Sequence, residues 1–205
     1  MVNTVPHVSD RSPRVQTAVR LAWATIAWNV LEAVAAIAAG TITGSIALVG
    51  FGLDSSIEVM SAAIIVWQFR GLALTRERQA LRLIALSFFA LSAYVAAQAI
   101  TNLADHSQPD SSGVGLGIAA GSLMVMPYLA RAKRRAGELI GSATVLADSK
   151  QTQLCTYLSA ILLGGLLLNA TVGWWWADPL AAIAIAVLAA NEGRQAWRGD
   201  TCDAC

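Results

Sequence analysis

Charge is scarce in this chain. Only 13% of its 205 residues are Asp, Glu, Lys or Arg, while 56% are hydrophobic. That composition excludes an ordinary soluble domain, in which about a quarter of residues are charged. A net charge of +1 provides no basic surface for nucleic acid, and none is expected as a partner. The three cysteines, Cys155, Cys202 and Cys205, are too few and too poorly placed for a disulfide framework. Low-complexity tracts and strong internal repeats are missing as well. The first apolar segment is longer than a signal-peptide core, lacks a convincing cleavage site and is followed by more of its kind. It reads as a permanent span.

Long apolar runs fill the rest. Crossing a hydrocarbon core takes about 20 helical residues. Five segments qualify clearly, at 17–39, 45–69, 80–104, 113–130 and 173–192. A sixth, 143–170, is interrupted early by Asp148, Lys150, Gln151 and Gln153. The expectation is an all-α, polytopic membrane protein of six transmembrane helices. Residues 1–16 form a polar N-terminal segment, 17–197 the membrane domain and 198–205 a short tail. The lipid bilayer is its first partner and a cell membrane its location, most simply a bacterial inner membrane.

Basic residues set the orientation. Arg11 and Arg14 precede helix 1 and Arg20 lies in its first turn. Arg70, Arg76, Arg78 and Arg82 lie in the link between helices 2 and 3 or the first turn of helix 3, Arg131, Lys133, Arg134 and Arg135 link helices 4 and 5, and Arg194 and Arg198 follow helix 6. The other three loops have no Lys or Arg, so the positive-inside rule places both termini in the cytoplasm. Trp174, Trp175 and Trp176 open helix 6 as an outer aromatic belt. Gly113, Gly115, Gly117 and Gly121 give helix 4 a small-residue surface for close packing, and Pro127 marks a bend. Asp178, just before Pro179, reads as the cap of helix 6.

Against this background Asp54 and Glu58 stand out, two carboxylates in the uncharged run from Ser45 to Phe69. Their i, i+4 spacing puts both on one helix face, and each costs at least a few kcal/mol at membrane depth. A shared cation accounts for such a pair. Helix 5 offers a second i, i+4 pair, Gln151 and Cys155. At 1.5 Å per residue, Glu58 lies roughly 16 Å and Gln151 roughly 12 Å from the cytoplasmic ends of their helices. Asp54 and Cys155 lie roughly 22 Å and 18 Å in. Glu58 is therefore expected level with Gln151, and Asp54 with Cys155, near the midplane where secondary transporters bind cargo. Two carboxylates, an amide and a thiol suit zinc and its softer relatives better than magnesium.

The stretch GSIALVGFGLDSSIEV (44–59) resembles helix 2 of the cation diffusion facilitator family. ADSKQTQLCTYLSA (147–160) and ADPLAA (177–182) are similar to that family's helices 5 and 6. The resemblance implies a six-helix exporter of divalent metal ions that works as a homodimer by alternating access. It also implies that Asp54 and Glu58 hold the metal. At the family's HxxxD positions this chain has Gln151 and Cys155, and the reading is of a short, divergent member without the family's cytoplasmic C-terminal domain. Because Gln151 does not titrate as a histidine would, a coupled proton has to ride on Asp54, Glu58 or Cys155.

Four further groups are candidates for support or gating: Asn29 and Glu32 on helix 1, and Asp148 and Lys150 at the mouth of helix 5. Cys202 and Cys205 form a CxxC suited to capturing metal on the cytoplasmic side, or to redox chemistry. The combined expectation is a secondary transporter, not an enzyme, with no cofactor and with zinc or cadmium as substrate, exchanged for protons. Two alternatives stay open, a membrane thiol oxidoreductase using the CxxC and a non-transporting metal sensor or partner subunit.

Overall fold

The computed structural model describes residues 13–69, 77–106, 109–110 and 112–198. They form six helices: α1 (Pro13–Thr43), α2 (Ile46–Gln68), α3 (Glu77–Ala104), α4 (Gly113–Ile140), α5 (Ala143–Val172) and α6 (Ala177–Arg198). Among the described residues there is no strand. Five helices, α1 to α5, are long and apolar enough to cross a membrane. The weakest apolar segment is therefore α6, not α5 as the sequence suggests. The charges of α5 are confined to its first turns, leaving 151–172 uncharged, whereas α6 is alanine-rich and carries Asp178 and Glu192.

Several boundaries move for local reasons. The described part of α1 runs from Pro13, so residues 13–16 of the polar N-terminal segment are helical. Helix α4 passes through Pro127 and continues ten residues beyond its expected end, to Ile140. A buried stripe holds it to the core: Gly115, Ala119, Ser122, Met126, Ala130, Lys133 and Gly137. Arg131–Arg135 are thus the last turns of α4 and not a loop. The helix stops where Gly141 turns left-handed, at φ 64°. Trp174, Trp175 and Trp176 lie before α6, with Trp174 and Trp176 exposed and stacked at 4.9 Å.

Helix starts are capped by serines whose side chains accept from the backbone: Ser45 from Leu48, Ser112 from Gly115 and Ser142 from Val145. The start of α2 has a second cap. Asp178 accepts from Ser45 Oγ at 2.5 Å and from the amides of Ile46 and Ala47 at 3.0 and 3.4 Å. It therefore serves α2, not its own helix as expected. The reason is electrostatic: it is buried against the free N–H groups and positive end of α2.

Helices pack chiefly as α1 on α2, α4 on α5 and α3 on α6, and α2 touches α1, α3, α5 and α6. Close approach at the α1–α2 crossing depends on glycine. A Cβ at Gly52 would come within 2.8 Å of Ile37 and 3.1 Å of the Ala33 carbonyl. Only part of the expected glycine surface of α4 is used, with Gly115 against Leu48 and Gly121 against Trp28, while Gly113 and Gly117 face open space. The core includes Leu48, Phe51, Val95, Met126, Leu162 and Ile185. The outside is apolar too, with Leu31, Val34, Ile42 and Met124 exposed. A chain apolar on both sides is dissolved in lipid.

Candidate cation site

The polar groups of this bundle converge around α2. Asp54 and Glu58 are 6% and 1% exposed, confirming that the helix buries both carboxylates. Asp54 lies within electrostatic reach of Glu58, of Glu32 on α1 and of Glu192 on α6. Cys155, fully buried on α5, lies within reach of Glu58, Glu32 and Asp54. Four helices thus direct acidic groups or a thiol toward one region, and their oxygen and sulfur atoms are of the kinds that ligate cations. Among the described residues, no three His, Cys, Asp or Glu side chains come close enough to hold an ion between them.

Glu58 is held by a relay that sequence reading did not anticipate. Thr152 Oγ1 donates to its Oε1 at 2.5 Å and accepts from Lys133 Nζ at 2.8 Å. The ammonium lies 2.6 Å from Asp148 Oδ2 and 3.9 Å from Glu58 Oε1. Asp148 also accepts from Ser61 Oγ on α2 at 3.4 Å. Glu58 is therefore level with Thr152, one residue from the expected Gln151, and has Cys155 beside it as well. Asp148 pairs with Lys133, whereas Lys150 lies within reach of Glu192.

Glu32 accepts from Ser122 Oγ on α4, which in turn accepts from Trp28 Nε1 at 3.1 Å. Asn29 donates to the Thr25 carbonyl at 3.1 Å. Among the described residues, four buried side-chain polar atoms have no hydrogen-bond partner: Asn29 Oδ1, Glu32 Oε2, Glu58 Oε2 and Gln151 Nε2. An unmade bond at such a site costs roughly 1–3 kcal/mol. Three of the four are oxygen acceptors, the atoms a cation recruits. Gln151 itself is only half-buried.

Sequence reading missed Lys133, Thr152, Ser122 and Glu192. Lys133 carried a readable signal, because it lies three residues after Ala130 and four before Gly137 and so continues the buried face of α4. Cys202 and Cys205 lie outside the described residues.

The fold and its buried acids define a multi-pass helical membrane protein with an acid-bearing interior. Residues 82–198 match the family model described as the cation efflux transmembrane domain. The chain belongs to the cation efflux family, a family of transporters rather than enzymes. The match includes α5 with Asp148, Gln151 and Cys155, while Asp54 and Glu58 on α2 precede it. The chain is also similar to Transmembrane protein 163 of Xenopus laevis, 24% identical over 178 residues. That alignment covers 84% of this chain and 63% of the relative, so the chain spans less than two thirds of that protein's length.

Proposed function

We propose that this protein exports a divalent transition-metal ion, zinc or cadmium, through a site between α2 and α5. Asp54, Glu58 and Cys155 would bind the ion directly, and Gln151 would serve as a weak or supporting ligand through its amide oxygen. The observation that carries this reading is the pair of buried carboxylates, Asp54 and Glu58, within electrostatic reach of the buried thiol of Cys155 in a cation transporter family. A thiolate beside carboxylates favours zinc and softer ions over magnesium. Glu32 and Asn29 add oxygen acceptors from α1. Protons are the counter-ion and a homodimer the working unit in this reading. Both termini face the cytoplasm, and the CxxC of Cys202 and Cys205 captures metal there.

In this reading α5 moves against α2 on loading, because Asp54, Glu58 and Cys155 do not converge as they stand and Glu58 is engaged by Thr152 and Lys133. Equilibrium dialysis of the purified chain in detergent tests the site. Zinc and cadmium are expected to bind, and Asp54→Asn to weaken both by at least about tenfold, since a charged ligand is removed from a low-dielectric site. Unchanged binding in Asp54→Asn and in Cys155→Ser would remove the α2–α5 assignment.

A further inference from the structure

Lys133 is the only cationic side chain buried among the described residues, and the transport reading leaves it without a task. Its ammonium lies between two carboxylates in unequal fashion, 2.6 Å from Asp148 Oδ2 and 3.9 Å from Glu58 Oε1. We propose that Lys133 is a tethered cation that competes with the transported ion for Glu58, resting on Asp148 and bearing on Glu58 both through space and through the Thr152 hydroxyl. This rests on Glu58 being a ligand for the cargo.

The hydrogen bonds around Lys133 make the exchange possible without stranding a donor. Thr152 Oγ1 has one proton and two acceptors in range, Glu58 Oε1 at 2.5 Å and the Asp148 carbonyl of its own helix at 3.1 Å. If an ion takes Glu58, the hydroxyl turns to that carbonyl. The ammonium keeps Asp148, which Ser61 Oγ also contacts from α2. Each donor that Glu58 releases thus has a second acceptor already beside it. Lysine suits such a role, as a compact charge on a flexible four-carbon stem. A fixed positive charge this close to a divalent ion raises the free energy of the loaded state, limiting affinity and speeding release. Without it, the site would hold its cargo too tightly.

The experiment measures zinc affinity of the full-length chain by equilibrium dialysis, and zinc flux in proteoliposomes, for five proteins: wild type, K133Q, K133R, D148N and K133Q/D148N. K133Q is expected to bind zinc about tenfold more tightly and to turn over more slowly at saturating zinc. K133R keeps the charge and should stay within about threefold of wild type in affinity. D148N releases the ammonium to Glu58 and should weaken binding about tenfold. That weakening should shrink below about threefold in the K133Q background, where there is no ammonium to release.

Unchanged or weaker zinc binding in K133Q overturns the proposal, as does K133R behaving like K133Q. A full D148N effect that persists in the double variant overturns it too, since Asp148 would then act only through its own charge. If K133Q does not fold, K133M takes its place in the single and the double variant, with the same expected and overturning results. Loss of zinc binding by wild type would defeat the transport reading itself. Wild-type binding with an unresponsive K133Q would defeat only the role of Lys133.

Discussion

Asp178 shows how far a single side chain acts from its own helix. It lies in the first turn of α6 yet caps α2 through Ser45, Ile46 and Ala47. Replacing it leaves three buried donors unpaired at the end of the helix that carries Asp54 and Glu58. Asp178→Ala is expected to cost about 2 kcal/mol, read as a lowered thermal midpoint in detergent. Asp178→Asn, which still offers an oxygen, should recover part of that loss. At this scale the sequence was informative where chemistry clashed with surroundings. Asp54 and Glu58 were legible because a carboxylate in an uncharged apolar run has no cheap explanation. Lys133 was hidden because basic residues flanking a span ordinarily mark a cytoplasmic loop, and Arg131, Arg134 and Arg135 around it are exposed as that rule expects. Asp178 was half legible, since a cap was foreseen but its recipient lies 132 positions away in the chain.

The existence and order of all six helices followed from the apolar runs, and their ends did not. Hydropathy registers where lipid begins, whereas a helix ends where its backbone finds a cap. Helix α4 outlasts its apolar stretch because one face of its final turns still packs on the core, and it ends only at Gly141. The same logic governs approach between helices. At the α1–α2 crossing the space opposite Ile37 and the Ala33 carbonyl admits no side chain at Gly52. Gly52→Leu is therefore expected to push α2 off α1 and destabilise the fold by about 2 kcal/mol or more. Gly117→Leu, on the open face of α4, should be tolerated. Thermal unfolding of both variants in the same detergent checks the contrast. Equal loss in the two would mean that the α1–α2 contact does not set the packing.

For the whole molecule, the acids of α1, α2 and α6 and the thiol of α5 meet in a bundle that is apolar outside and acidic within. A fold that exposed these groups to lipid would pay for each separately, so their convergence follows from the need to bury them together. The convergence on α2 was legible from helical spacing and depth counting. The contributions of Glu192 and Ser122 were not, because which faces of α4 and α6 turn inward depends on how three helix pairs assemble. In the function proposed above, this interior moves a metal ion through Asp54 and Glu58. Zinc and cadmium uptake into proteoliposomes holding the full-length chain tests it most directly. Wild type should carry both ions above empty vesicles, and Asp54→Asn and Glu58→Gln, each shown to be folded, should reduce flux to that background. Flux that persists unchanged in both variants would contradict it.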